Sequence, residues 1–279
     1  MIAAEWTKQW HRRRTTVLLA AAAAFPVVMT IALKIAGSGS NNQVGDLPLL
    51  IVPDRSGLSV PLIALSSTMR FFLPLLVAIL VGEVVAGEAA AGSLRYALAR
   101  PVSRTRLLAA KAAVSAGITV IAVTVLAIAS VIVGLAAFGW HSLPVANGDP
   151  AATGVVLAHF SAWSALGKLA VSSAYVTGGM LSVLAFGLFL SVLTKRPIVA
   201  VAGAAALSVV SRVFNSDYLP GVGAVSRYMP NQDIDLWQQL FVHGAGTTGM
   251  GRFLALQVAY GAVFLVAAWW LFTRRDVLA

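Results

Sequence analysis

The chain of 279 residues contains no cysteine, and only 11% of its residues are charged. The first absence excludes disulfide frameworks and every site that uses cysteine as a metal ligand or nucleophile. The second sets the chain apart from soluble domains, in which about a quarter of the residues are charged. Because 59% of the residues are hydrophobic and the mean hydropathy is +0.86, the composition predicts an integral membrane protein.

The sequence also lacks the short motifs of common catalytic sites. There is no GxxxxGK[ST] phosphate-binding loop and no HExxH zinc motif, and the four histidines are scattered over loops and a terminus. Glu83 is the only carboxylate inside a long apolar segment, so no proton relay is indicated. An intramembrane serine protease would need a histidine facing a serine inside the bilayer, and none of the four histidines lies near the centre of an apolar segment. We therefore expect no catalysis, no metal and no bound cofactor in this chain.

Six apolar segments are each close to the roughly 20 residues that a helix needs to cross a bilayer. They cover residues 17–36, 69–85, 112–138, 169–193, 198–214 and 253–272. The sequence thus predicts an all-α membrane protein with one transmembrane domain over residues 1–279. Pro26 and Pro74 lie inside two of these spans, where neighbouring groups can satisfy freed carbonyls, and we interpret both as packing features.

The basic residues divide unequally between the two sides of this arrangement. Thirteen fall on one side: Lys8, Arg12, Arg13, Arg14, Arg95, Arg100, Arg104, Arg106, Lys111, Lys195, Arg196, Arg274 and Arg275. Seven fall on the other: Lys34, Arg55, Arg70, Lys168, Arg212, Arg227 and Arg252. The positive-inside rule assigns the larger group to the cytoplasm. We predict a bacterial plasma-membrane protein with both termini cytoplasmic, contacting lipids and no nucleic acid.

Three segments are expected on the outer side. Residues 37–67 are rich in glycine, serine, asparagine and then proline, which indicates a loop. Residues 140–168 begin with turn signals and continue as a half-apolar segment over 151–166, and residues 215–251 are also half-apolar. These last two segments could each hold an interfacial or re-entrant helix. No internal repeat indicates an inverted-repeat transporter.

The N-terminal residues 1–14 show an amphipathic pattern. Ile2, Trp6 and Trp10 share one face of a helix. Tryptophans with basic neighbours favour a helix that lies in the membrane interface, anchored by Trp6, Trp10, Arg12, Arg13 and Arg14. The alternative is the basic region of a signal peptide, although the apolar segment that follows is longer than such peptides usually have.

A charged segment separates the second and third spans. It carries Glu83, Glu88, Arg95, Arg100, Arg104, Arg106 and Lys111. Ser93 is a good N-cap for a short helix, Pro101 ends that helix, and Ser103 can cap the helix that becomes the third span. On composition alone, this segment is either a surface element offered to a partner or an ordinary basic loop that fixes topology.

The residues of this segment resemble the signature of the type-2 ABC exporter permeases. Residues 87–95 read GEAAAGSLR, residues 100–104 read RPVSR, and Leu107, Leu108 and Lys111 follow. In that family the pattern is GE-x-x-x-G-[ST]-L-R, a few residues, then PVSR, leucines and a lysine. Six spans, cytoplasmic termini and an amphipathic N-terminal helix are also similar to that family's architecture.

The resemblance implies a permease subunit that pairs with a second permease and docks on a separate cytoplasmic ATP-binding subunit, which would carry ATP and Mg. Residues 87–104 would form the cytoplasmic coupling helix and its flanks. The expected contact residues are Glu88, Gly92, Ser93, Leu94, Arg95, Tyr96, Leu98, Arg100, Pro101, Val102, Ser103 and Arg104. The expected cargo is a hydrophobic or amphipathic compound such as a drug, an antibiotic or a lipid.

Two other classes remain open at this point. A secondary transporter or channel would need charged or broken helices near the bilayer midplane, whereas Lys34, Arg70 and Arg212 fall near span ends. A membrane-embedded enzyme of lipid metabolism would need acidic or histidine clusters at the membrane surface. The charged segment, more than the number of spans, separates these classes from an ATP-driven permease.

Overall fold

The computed structural model describes residues 2–36, 50–51, 56–92, 103–147, 156–194, 196–213, 228–242, 247 and 249–274. The fold is mostly helical. Its α-helices in chain order are α1 (Ile2–Trp10), α2 (Arg13–Ala36), α3 (Ser59–Thr68), α4 (Phe72–Ala90), α5 (Arg104–Phe138), α6 (Ala162–Gly179), α7 (Leu181–Leu193), α8 (Pro197–Val213) and α9 (Met250–Arg274). A 3-10 helix, Ile234–Phe241, lies between α8 and α9.

Five helical segments of the described chain are long and apolar enough to cross a membrane. They are Arg13–Ile35, Phe72–Ala90, Arg104–Phe138, Ala162–Leu193 and Met250–Arg274. Each coincides with one of the predicted spans, so a multi-pass membrane protein is the plain interpretation of the fold. The predicted span over 198–214 corresponds to α8, which is apolar but has 17 residues.

Two prolines begin helices that the sequence pattern did not place correctly. Pro74 lies in the first turn of α4, and Pro61 lies in the first turn of α3. A proline there removes an N–H that has no intrahelical acceptor, so it favours a helix start and breaks nothing. Pro74, which the sequence placed inside a span, therefore lies at the start of its helix, whereas Pro26 does lie inside α2.

The helix α3 lies in the segment 37–67 and the residue after it, for which the composition predicts a loop. Nine of its ten residues are buried, and it packs mainly against α5. The contact is close because two glycine backbones meet there: a Cβ added to Gly134 would lie 2.1 Å from the carbonyl oxygen of Gly57. Only residues without a side chain can bring these two backbones so near each other.

The expectation of an all-α fold is wrong in one region. Strands β1 (Leu50–Ile51), β2 (Leu143–Asn147) and β3 (Val156–Phe160) form an antiparallel sheet in the order β1-β2-β3, in which Val145 pairs with both Ile51 and Ala158. Leu143 and Val145 are both fully buried, which is the two-residue period of a half-buried strand. Residues 156–160 are consequently a strand and not the predicted interfacial helix.

The segment between α8 and α9 does contain a helical turn, in the 3-10 form. Its Trp237 is fully buried, and the indole N–H donates to the sulfur of Met69 at 3.0 Å. Tyr175 of α6 donates to the backbone carbonyl of Asp233 at 2.7 Å. This 3-10 helix therefore closes the end of the helical bundle at which the sheet lies.

A single residue, Met180, separates α6 from α7. It keeps right-handed helical backbone angles (φ −81°, ψ −6°), so the two helices follow one another with little unwinding. The free N–H of Ser182 donates to the Gln257 side chain of α9 at 3.1 Å, and the amide of Gln257 also donates to the carbonyl of Pro230. The discontinuity is thus satisfied by a buried neighbour.

The bundle has two ends that carry different charged groups. At one end, which we call the α1 end, Thr105 at the start of α5 accepts a hydrogen bond from Trp269 near the end of α9. At the other, which we call the sheet end, Lys34 lies over the ring of Phe138 at 5.6 Å from its centroid. The described basic residues of the two predicted groups lie at these two ends.

Candidate functional site

The predicted coupling segment is described only at its two flanks. Glu88, Gly92, Ser103 and Arg104 are described; Ser93, Leu94, Arg95, Tyr96, Leu98, Arg100, Pro101 and Val102 lie outside the described residues. The flanks belong to α4 and α5, whose ends lie at the α1 end of the bundle. The candidate site is accordingly the α4–α5 hairpin and the side chains that hold its base.

Both flanks of the hairpin show the local signals that the sequence predicted. The α4 helix ends at Ala90, and Gly92 has a φ of +69°, a left-handed angle that glycine adopts at low cost. Ser103 is the N-cap of α5, because its hydroxyl accepts from the N–H of Arg106 at 3.4 Å. The Arg104 guanidinium donates to the backbone carbonyl of Thr273 in α9 at 3.3 Å.

Glu88 is the centre of a buried ionic cluster that joins three helices. It is 1% exposed, and its Oε1 lies 2.8 Å from Lys111 Nζ of α5 and 2.5 Å from Lys8 Nζ of α1. The guanidinium of Arg12, in the turn after α1, lies 3.4 Å from the same oxygen. One carboxylate of α4 therefore accepts from two other helices and from the turn between α1 and α2.

Lys111 is the cation on which this cluster depends. Its side chain is fully buried, and besides Glu88 it donates to Glu5 of α1 at 3.2 Å and to the carbonyl of Val84 in α4 at 3.4 Å. A buried ammonium group is tolerated only when its three donors are satisfied. Here each donor has an oxygen within reach, so α1, α4 and α5 are held in one arrangement.

Glu5 was not singled out as a site residue, although a signal was present in the sequence. Glu5, Lys8 and Arg12 follow one another at spacings of three and four, which places them along one face of a helix. That charged face lies against the protein: Glu5 and Gln9 are buried. The pattern of Ile2, Trp6 and Trp10 lies on a different face of α1 and predicts only an apolar surface.

The tryptophans expected to act as anchors have different environments. The Trp10 side chain is 44% exposed, and its ring stacks on that of Trp6 with centroids 6.1 Å apart. Trp6 packs on α5, where its ring lies 2.8 Å from the position that a Cβ on Gly117 would take. The α1 helix ends at Trp10, and Arg13 and Arg14 belong to α2, so the helix is shorter than the predicted 1–14.

The contact between Trp6 and Gly117 shows at which height along α5 the helix α1 packs. Gly117 and Phe138, the last residue of α5, are about 31 Å apart at 1.5 Å per residue, which is close to the hydrocarbon thickness of a bilayer, about 30 Å. Residues 104–116 extend about another 20 Å beyond that level. All three basic residues of α5, Arg104, Arg106 and Lys111, lie in this extension.

Below Glu88, α4 is tied to α7 by an unusual contact. The Ser191 hydroxyl donates to the carbonyl of Gly82 at 2.8 Å and accepts from the N–H groups of Val85 and Ala86 at 3.1 and 2.9 Å. It thus inserts among the backbone groups of α4 one turn before Glu88. Gly82 also permits close packing of α8, because a Cβ there would lie 2.7 Å from Val201. The end of α4 is therefore mechanically connected to α7 and α8.

The arrangement suits binding and positioning better than bond-making chemistry. Within the described ranges, no three histidine, aspartate or glutamate side chains lie close enough together to hold a metal ion. The carboxylates of the cluster are engaged by lysines and arginines, which leaves them poorly placed to exchange protons with a substrate. What the cluster does is fix the base of a charged hairpin against α1.

The chain belongs to the family described as "Protein of unknown function (DUF2705)", which it matches over residues 28–278. The match begins inside α2, continues past the end of α9 and includes the whole α4–α5 hairpin, but not α1. No curated protein matches the sequence.

Proposed function

We propose that the protein is the transmembrane permease subunit of an ATP-driven ABC exporter. In this proposal residues 87–104 dock on a separate cytoplasmic ATP-binding subunit, which carries ATP and Mg, while the helical bundle moves a hydrophobic or amphipathic compound outward. The observation that carries the proposal is the α4–α5 hairpin. Its tip bears the GEAAAGSLR and RPVSR runs, and its base is locked by Glu88 and Lys111.

The geometry of the hairpin suits transmission of force. The level at which α1 packs leaves about 20 Å of α5, residues 104–116, beyond Gly117. An element that docks on a soluble motor must extend from the membrane and must be stiff enough to carry its motion. Two helices joined by a buried ion pair meet the second condition, and the charged extension of α5 meets the first.

The route from the hairpin into the membrane runs through α4. Its end is bonded to Ser191 of α7 and packs on α8 at Gly82. A displacement of the hairpin would therefore tilt α4 together with α7 and α8. In the proposal these helices rearrange to open the transport path.

The topology predicted from the basic residues fits this function. Both termini and the hairpin would be cytoplasmic, and α8 would be the fifth of six spans. Two copies, or this chain with a related permease, would form the complete membrane unit. Because the chain has no cysteine, single cysteines at Ser40 and Thr247 should be labelled from outside, and one at Arg100 only after permeabilisation.

A secondary transporter is a weaker candidate. Its clearest support is the discontinuity at Met180, near the middle of the predicted fourth span. Met180 keeps helical backbone angles, and the Gln257 side chain satisfies the free N–H of Ser182, so no unwound segment is open to an ion. The basic residues of the described chain lie at the two ends of the bundle, where a midplane ion pathway would not use them.

The test is docking of the hairpin tip. The full-length chain is co-expressed with a nucleotide-binding subunit encoded in a neighbouring reading frame, and the complex is purified through the permease. Substituting Leu94 and Leu98 together by aspartate should abolish co-purification, because two carboxylates would enter an apolar contact. The matched control, Leu94→Met with Leu98→Met, keeps the apolar surface and should retain the partner.

Membrane insertion of both variants is checked by their yield in the detergent-solubilised fraction. If the aspartate variant inserts normally and still binds the ATP-binding subunit as tightly as the wild type, the hairpin is not the docking element. Transport of cargo by the purified chain alone, without nucleotide, would contradict the proposed function as a whole.

A further inference from the structure

A small cavity lies beside the ionic cluster, at the base of the hairpin. Its volume is about 320 Å³, and it lies between the turn that joins α1 to α2 and the last two turns of α4. It is lined by Arg12, Arg13, Arg14, Gly87, Glu88 and Ala91. Three consecutive arginines therefore face one concave site at the α1 end of the bundle.

The charges around this cavity do not balance. Lys8, Arg12, Arg14 and Lys111 engage the three carboxylates Glu5, Glu83 and Glu88. Arg13 is exposed and makes no ion pair with any residue that the structure describes. Five cations thus surround three carboxylates, which leaves a surplus of two positive charges in and beside the cavity.

The carboxylate of Glu88 does not make the cavity acidic. Lys111 and Lys8 bind its Oε1 at 2.8 and 2.5 Å, so its charge is neutralised within the cluster. An arginine presents several N–H donors in a planar fork that matches the oxygens of a phosphate. An excess of guanidinium groups around a concave site is therefore suited to a phosphate-bearing anion.

The level of the cavity indicates where such an anion comes from. Arg13 and Arg14 open the candidate membrane-crossing helix α2, directly after α1, whose Trp10 is exposed and whose Trp6 packs on α5 at Gly117. Lipid headgroups occupy this level of a bilayer. We propose that the cavity binds the phosphate group of an anionic membrane lipid.

The open side of Gly87 provides a way to close the cavity without changing charge. A Cβ at this position would meet only the Cβ of Glu83, at 3.5 Å, which is an ordinary contact. A leucine at position 87 therefore fits on the helix, and its side chain occupies space in the cavity. Gly87→Leu tests the shape of the site, and Arg13→Gln tests its charge.

The experiment uses the full-length chain in detergent and measures retained lipid by native mass spectrometry. The probes are phosphatidylglycerol and phosphatidylcholine with identical acyl chains. We expect preferential retention of one phosphatidylglycerol. Arg13→Gln should weaken this retention about tenfold, the effect of losing a charge-assisted contact, and Gly87→Leu should do the same. The control is Arg106→Gln, which removes an exposed arginine at the same end of the bundle that does not line the cavity. This variant should change lipid retention less than twofold, because an isolated surface charge contributes little.

Each other result overturns the proposal. Equal losses in Arg13→Gln and Arg106→Gln, with none in Gly87→Leu, would mean diffuse attraction to a basic surface. Equal retention of the two lipids would remove the preference for an anion. Displacement of phosphatidylglycerol by excess inorganic phosphate, at the same ionic strength as a chloride control, would assign the cavity to a soluble phosphate compound. Thermal unfolding of each variant checks that the fold is intact.

Discussion

The two ends of the bundle hold their charged groups in different ways. At the α1 end, Lys111 and Glu88 are fully buried and connect α1, α4 and α5. At the sheet end, Arg252 and Asp233 form a pair in which the arginine side chain is 54% exposed, the helix backbones pack closely at Gly134, and Trp237 is fully buried. The α1 end is therefore specified by charge, and the sheet end by shape.

This difference matters because buried ion pairs and exposed ion pairs respond differently to an applied force. A buried ion pair has one favourable arrangement, and separating its members leaves an uncompensated charge. Surface pairs can exchange their partners for water at little cost. In the proposed exporter the hairpin at the α1 end receives the motion, so the rigid connection lies at the end where force would enter.

The largest effect is expected for Lys111→Met. The substitution leaves Glu5 and Glu88 buried with one cation fewer, which should cost about 3–5 kcal/mol. Thermal unfolding in detergent measures the loss of stability, and limited proteolysis reports release of α1. In a complex with the proposed ATP-binding subunit, ATP hydrolysis coupled to the proposed transport should fall as well.

A double-mutant cycle sharpens this prediction. Lys111→Met combined with Glu88→Gln should cost less than the sum of the two single substitutions, because each of them already removes the contact between the two side chains. Additive losses would show that the two residues act independently. The buried ion pair would then not be what holds α1, α4 and α5 together.

An intermediate effect is expected away from the α1 end, for Gln257→Leu. Gln257 is 1% exposed and satisfies both the N–H of Ser182 and the carbonyl of Pro230. Leaving these two buried groups without a partner should cost about 1–3 kcal/mol. Thermal unfolding should therefore shift, whereas binding of the ATP-binding subunit should not change.

The two readouts separate the ends. Gln257→Glu is the matched control, because it keeps the oxygen that accepts from Ser182 and loses the donor to Pro230. It should destabilise through the buried charge and also leave docking intact. Loss of docking in Gln257→Leu at a temperature where the variant is folded would mean that the two ends are not independent.

The parts of this structure that local signals determine were predictable from the sequence. The N-cap at Ser103 and the end of α5 at Phe138 depend on residues adjacent in the chain and on the length of an apolar run. The division of basic residues between two ends was also predictable, because charged groups avoid the hydrocarbon whatever the details of packing.

What could not be predicted depends on contacts between distant residues. Glu5 and Lys111 are 106 positions apart, and no local pattern shows that they meet. Residues 59–68 contain a proline and follow a glycine-rich segment, yet burial against α5 stabilises them as a helix. The strands pair residues such as Ile51 and Val145 across the second and third spans, so their formation depends on how the helices place the loops.

The smallest effect is expected for Arg252→Gln. The pair with Asp233 has an N–O distance of 2.9 Å, but the exposed guanidinium is screened by water and salt. The substitution should cost less than about 1 kcal/mol, and this cost should shrink further when salt is added. Thermal unfolding at low and high ionic strength measures both values. Lys111→Met, with its partners out of reach of the solvent, should show almost no dependence on salt. If Arg252→Gln proved as costly as Lys111→Met, the sheet end would also be held by charge, and the contrast between the two ends would fail.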